Sequence, residues 1–122
     1  LVYEFERCKD KGIGIIIGSP YAGGILAATL ASDARYLGGA APHIINARVE
    51  SLKKVCRDQN VSLKAAALQF PLGNTTVTSI IPGAKHPEEV RENLEMMQID
   101  IPQSFWSTLQ NEGLLHRDAS IP

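Results

Sequence analysis

Apolar residues recur along the chain with two different periods, and the switches between them predict most of its elements. Apolar side chains at positions 1, 5 and 8, with Val2 beside them, have helical spacing. Lys9 and Lys11 suit the last turn of that helix, and Gly12 is placed to be its C′ residue. Ile13-Gly14-Ile15-Ile16-Ile17 then forms a β-branched run with no alternation. A strand with one wet face would alternate, so this run predicts a parallel strand covered by helices on both sides. The loop after it, Gly18-Ser19-Pro20-Tyr21-Ala22-Gly23-Gly24, is rich in small residues. Loops at the carboxyl ends of parallel strands are where α/β folds carry ligands, although glycine also serves ordinary connections. From Ile25 to Ala41 no period dominates, which predicts a long irregular loop with one helical turn near Leu26–Leu30.

Helical spacing returns over Ala47–Asp58, with Val49, Leu52 and Cys56 on one side and Asn60 as a C′ residue. Ser62 has the place and chemistry of an N-cap for a helix over Leu63–Phe70. Ala65, Ala66, Ala67 and Leu68 give that helix a smooth face for close packing, and Pro71 with Gly73-Asn74 stops it. Thr75–Ile81 reads as a second strand. Val90, Leu94 and Met97, at i, i+4 and i+7, predict a core-facing helix after it. Ile99 and Ile101 lead into a last helix over Gln103–Asn111, whose apolar side is Phe105, Trp106 and Leu109. Gly113 ends it, and Asp118–Pro122 reads as a tail.

Between the second strand and its helix lies Pro82-Gly83-Ala84-Lys85-His86, with Pro87 at the first helical position and Glu88 and Glu89 in the first turn. A strand, a tight glycine turn and a helix N-terminus make an anion site, because free backbone N–H groups and the helix dipole point at the turn. An ordinary βα connection has the same outline, so the turn alone does not decide between the two.

Composition narrows the classes. The net charge is −1, and lysine and arginine are scattered rather than striped, so nothing marks a nucleic-acid partner. No apolar run is long enough to span a bilayer and no signal-peptide pattern opens the chain, which predicts a soluble cytoplasmic protein. Cys8 and Cys56 form no CxxC pair and read as reduced thiols. His43 has no Cys, Asp or Glu at ligand spacing, so no residue is assigned to a metal. Two parallel strands do not make a stable sheet alone, and no N-cap precedes Leu1. The expectation is therefore a piece of a larger α/β domain.

Three stretches carry a resemblance: Gly12-Ile13-Gly14-Ile15-Ile16-Ile17-Gly18-Ser19-Pro20-Tyr21, Ala65-Ala66-Ala67-Leu68-Gln69-Phe70-Pro71-Leu72, and Ser79-Ile80-Ile81-Pro82-Gly83-Ala84-Lys85 with Glu92-Asn93. Together they resemble the aldo-keto reductases. The second stretch, with Ile101-Pro102-Gln103-Ser104-Phe105-Trp106 and Glu112-Gly113-Leu114-Leu115, is most similar to the aldose-dehydrogenase branch, which also includes pyridoxal dehydrogenases. The resemblance implies an α/β fold, a C-terminal fragment of a (β/α)8 TIM barrel, with residues 1–122 supplying the last two parallel strands and their helices. About 200 further N-terminal residues would complete such a barrel.

It also implies NAD or NADP as cofactor. Ser19, Pro20, Tyr21, Gly23 and Gly24 would cover the pyrophosphate. Gly83, Ala84, Lys85 and His86 would lie at the adenosine ribose or its 2′-phosphate, and Glu92 and Asn93 at the adenine. Two departures from the family pattern stand out. Gly18 occupies the position where many members carry a tyrosine that stacks on the nicotinamide, and Tyr21 is the ring that could compensate. Glu89 stands where many NADP-dependent members carry arginine; Lys85 pulls the other way, leaving a lean toward NAD. The family's catalytic Asp, Tyr, Lys and His belong to the first half of the barrel, so no catalytic residue is expected here. The implied substrate is an aldose such as L-fucose, oxidised to its lactone, or else pyridoxal or another aldehyde or alcohol. A non-catalytic accessory subunit is the alternative from a different class. The expected partners are the chain's own N-terminal barrel segment or another copy of itself.

Overall fold

A computed structural model describes residues 2–28 and 35–122. Its elements in order are α1 (Val2–Asp10), β1 (Ile15–Gly18), α2 (His43–Asp58), α3 (Leu63–Gln69), β2 (Val77–Ile81), α4 (Pro87–Gln98) and α5 (Gln103–Asn111), with short 3₁₀ turns at Ala22–Gly24 and Phe70–Gly73. β1 and β2 pair in parallel, as the unalternating isoleucine run predicts. Leu1, in the first helical pattern, and Thr29 and Leu30, in the anticipated turn of the long loop, lie outside the described residues. α2 begins at His43, four residues before the expected start, and His43 itself is exposed.

Three helices end in the same backbone device. The N–H groups of Ile13, Val61 and Leu114 reach back five residues to the carbonyls of Cys8, Cys56 and Leu109. Gly12, Asn60 and Gly113 supply the left-handed residue that this Schellman closure needs, at φ 64°, 54° and 68°. At the start of α3, Ser62 Oγ accepts from Ala65 N at 3.3 Å, the expected N-cap. Gln69 Nε2 then donates to the carbonyls of Met96 and Ile99 at 2.7 and 2.9 Å, which satisfies the end of α4 and ties α3 to it.

Most of the buried core is helical, with Val77 of β2 and Tyr21 and Ile25 of the loop after β1 buried as well. Val55 and Cys56 of α2, Ala66 of α3, and Phe105, Trp106 and Leu109 of α5 form one cluster, and Ile121 packs against it. Residues 118–122 are therefore not a loose tail. Gln110 Nε2 holds the carbonyls of Arg117 and Ala119, and a side chain at Gly73 would strike Ile121 at 2.5 Å. Burial pushes the Cys56 thiol up to about 11, so it stays neutral within the core.

Two expectations fail. Val90, Leu94 and Met97 do not face the core; they are 50%, 62% and 37% exposed, and the buried residue of α4 is Asn93. Nor is β1 covered on both sides, since Ile16 is 60% exposed, and Ile81 of β2 is as bare. The reason is common to both. Two strands and five helices bury one side of this apolar surface, and among the described residues nothing covers the other. The isolated chain should consequently self-associate, with its exposed apolar faces and unpaired strand edges as the contact. Sedimentation at increasing concentration checks this; a sharp-unfolding monomer at every concentration would refute it. Among the described residues no helix is long and apolar enough to cross a membrane.

Candidate functional site

The strand register pairs Gly18 with Ile81, so both strands release their following loops at the same edge. Between those loops, α3 and α4 lies a cleft of about 730 Å³. The loop after β1 contributes Ser19, Tyr21, Gly23, Gly24, Ala27 and Arg35. The β2–α4 turn gives Gly83, Ala84 and Lys85, α4 gives Glu89, Glu92 and Asn93, and α3 gives Lys64. Of the residues expected at the cofactor, Pro20 and His86 do not line it. His86 is instead the exposed N-cap position of α4.

The β1 loop turns tightly over a few residues. Ala22 N donates to Ser19 O, Gly23 N to Ser19 Oγ, and Gly24 N to Tyr21 O. Ser19 and Ala22 hold positive φ without being glycine, at 54° and 50°. At Gly23 glycine is required twice, because φ is 79° and an added Cβ would sit 2.8 Å from Leu37 N. Gly23→Ala should therefore cost about 2 kcal/mol or more, from left-handed strain plus displacement of the 35–39 segment. Gly24→Ala, where φ is 110° but nothing lies within 4 Å of the Cβ position, carries the backbone strain without the contact and should lose less. Urea unfolding of the two variants compares them; equal losses would discount the contact with Leu37.

A polar network joins this loop to the helices. Tyr21 Oη donates to Asn93 Oδ1 at 2.7 Å, and both residues are buried. Burial, with the Glu92 charge adding to it, pushes the phenol up to about 12, so it keeps its proton. Lys64 Nζ pairs with Glu92 Oε2 at 2.7 Å and lies 5.5 Å from the Tyr21 ring centroid, a cation–π distance. The Tyr21 hydroxyl is thus committed to α4. A buried hydroxyl needs a partner, and Asn93 supplies one.

The anion site expected at the β2–α4 turn is filled from within. Lys85 N donates to Glu89 Oε2, and the N–H groups of Lys85 and then His86 hold the Glu89 carboxyl below its usual range. Glu89 is the third residue of α4, and its carboxylate reaches back over the helix start to the N–H of Lys85, one residue before the N-cap His86. Sequence reasoning missed Lys64 and Arg35. Lys64 sits at an exposed-looking position of a short helix, and Arg35 lies in a segment with no period, so neither gave a signal. The clustering of Glu89, Glu92 and Asn93 was legible, because i, i+3 and i+4 share one helix face.

The sequence profile of the aldo/keto reductase family matches residues 4–112. The chain belongs to that family. Its two parallel strands and their helices are accordingly part of an aldo/keto reductase TIM barrel, as the resemblance implied. The chain is 38% identical over 107 residues to pyridoxal 4-dehydrogenase of Microbacterium luteolum, covering 88% of this chain and 31% of that protein. It is 32% identical over 109 residues to D-threo-aldose 1-dehydrogenase of a Pseudomonas species, covering 88% and 33%. It is 30% identical over 116 residues to the NADH-specific methylglyoxal reductase of Escherichia coli strain K12, covering 86% and 35%. The chain thus spans about a third of the length of these curated relatives.

Proposed function

We propose that this chain is the dinucleotide-binding part of an aldo/keto reductase that oxidises an aldose or a related lactol, with NAD as the favoured cofactor. The observation that carries the reading is the convergence of the β1 loop, the β2–α4 turn and the Glu92-Asn93 pair on one cleft at the carboxyl edge of two parallel strands. The donor set fits the adenosine half of such a cofactor. Lys64, Lys85 and Arg35 bring positive charge to the cleft for a pyrophosphate, and Asn93 and Glu92 offer polar atoms to a purine. A 2′-phosphate fits poorly, because Glu89 already takes the Lys85 N–H and adds negative charge.

The nicotinamide ring, when bound, supplies hydride exchange at C4 with the substrate carbon. This chain's residues bind and orient the opposite end of the cofactor. The acid–base side chains are assigned to the part of the protein outside this chain. Pyridoxal is the second reading for the substrate, favoured by the 38% identity to a pyridoxal 4-dehydrogenase.

Asn93→Ala in the full-length protein should raise the cofactor KM about tenfold with little change in kcat, because the contact is remote from the reacting carbon. A wild-type KM with a lowered kcat would contradict the assignment. Hydride transfer to NAD from an aldose, compared with pyridoxal, separates the two substrates. Absence of turnover with either, in a full-length protein that still binds the dinucleotide, would favour the accessory subunit.

A further inference from the structure

The Tyr21–Asn93 bond has no counterpart in the resemblance, and it fixes more than the position of a loop. A carboxamide presents an acceptor at one end and donors at the other, and the two ends differ little in shape. Which end faces a ligand is decided by what holds the opposite end. Here Tyr21 Oη donates to Asn93 Oδ1 at 2.7 Å, across 72 residues of chain. The Oδ1 end of the amide is therefore turned to the phenol, with one of its two lone pairs engaged, and the opposite Nδ2 end is left for the cleft that Asn93 lines. The phenol is itself held in place. Its ring is buried and lies beneath Lys64 Nζ, and Lys64 is anchored to Glu92.

We infer that Tyr21 is a positioning residue for base recognition: by binding Asn93 Oδ1 it makes the cleft present amide donors, and so select a heterocycle with an unprotonated ring nitrogen. The inference rests on the reading of the cleft as the adenosine site. Purine ring nitrogens N1 and N7 are such acceptors. Without the phenol, Asn93 Oδ1 is left unpaired, and the amide gains nothing from keeping its donors toward the base.

A binding cycle on the full-length protein tests this, using NAD and its 1-deaza and 7-deaza analogues, in which one ring nitrogen becomes C–H. For wild type, one analogue should bind about tenfold more weakly than NAD. In Tyr21→Phe, which keeps the ring under Lys64, that penalty should shrink to within about threefold. An unchanged penalty in Tyr21→Phe, or equal binding of all three dinucleotides by wild type, would overturn the inference. Should the phenylalanine variant not fold, Asn93→Asp carries the test. It keeps an acceptor for Tyr21 but replaces the cleft-facing donors with an oxygen, so NAD should bind at least about tenfold more weakly. Wild-type affinity there would overturn the inference. Asn93→Ala separates this failure from that of the parent reading: if Asn93→Ala binds NAD as wild type does, the adenosine site itself is misplaced.

Discussion

Glu89→Ala should shift cofactor selectivity of the full-length protein toward the 2′-phosphorylated dinucleotide by tenfold to a hundredfold, on the order of the effect of one nearby charge on another ionised group. In the wild type the Glu89 carboxylate takes the Lys85 N–H and lies against that of His86 at the start of α4. It thereby occupies the donors that a phosphate would use and repels what it displaces. Alanine frees the donors and removes the charge, leaving Lys85 and the helix N-terminus to attract the phosphate. Glu89→Gln should produce a smaller shift, since it removes the charge but keeps an acceptor for the turn. The ratio of kcat/KM for NADP and NAD measures both. A wild-type preference for NADP of tenfold or more would show that Lys85 or a residue elsewhere dominates.

The pH dependence has a definite sign. The Glu89 carboxyl is held below its ordinary pKa, so the carboxylate form is the one stabilised by folding. That stabilisation is present above the unfolded carboxylate range and is lost as pH falls through the depressed folded value. Discrimination against the 2′-phosphate should accordingly persist at neutral pH and weaken only in acid, below the usual carboxylate range.

Trp106→Ala should lower stability by about 3–5 kcal/mol, the largest loss expected of any single substitution here. Trp106 is 2% exposed, meets Phe105 edge-on at a centroid distance of 5.2 Å, and lies tilted to Phe70 with centroids 6.1 Å apart. Phe105 and Trp106 belong to the one cluster in which α2, α3 and α5 meet. Emptying that volume leaves a cavity which the alanines of α3 are too small to fill. Trp106→Phe keeps an aromatic ring in the site and should lose less. Denaturant midpoints of the two variants test this; near-equal midpoints would mean that the site collapses around alanine without cost. Cofactor affinity should also suffer in Trp106→Ala, because α3 carries Lys64 into the cleft.

Much of this architecture is written locally. Gly12, Asn60 and Gly113 mark helix ends because a left-handed residue is needed there, and few residue types adopt that conformation easily. Ser62 marks a helix start because its hydroxyl can accept an orphan N–H. The span of α5 follows from Pro102, the Phe105-Trp106-Leu109 spacing and Gly113. The positions lining the cleft were mostly legible as well, since they cluster just after two predicted strands. Where the reading failed, the deciding partner was distant in sequence. The periodicity of Val90, Leu94 and Met97 states that a face is apolar, but not that its cover comes from this chain. Residues 118–122 look like a tail until Gln110 and Gly73 are brought against them.

The sequence by itself determined the two parallel strands, the helix boundaries set by caps and glycines, and the family. These depend on short-range sterics, hydrogen bonding and hydrophobic period, all of which act within a few residues. Only the tertiary structure decided which polar groups meet in the cleft. It gave the Asn93 acceptor to Tyr21, the Glu92 carboxylate to Lys64, and the Lys85 N–H of the β2–α4 turn to Glu89. The Tyr21 and Lys64 pairings join separate elements, and hydrogen-bond partners chosen across such distances leave no mark in the pattern of either segment. The Glu89 contact is local in sequence, yet it exists only because the turn folds the Lys85 N–H back onto the first turn of α4.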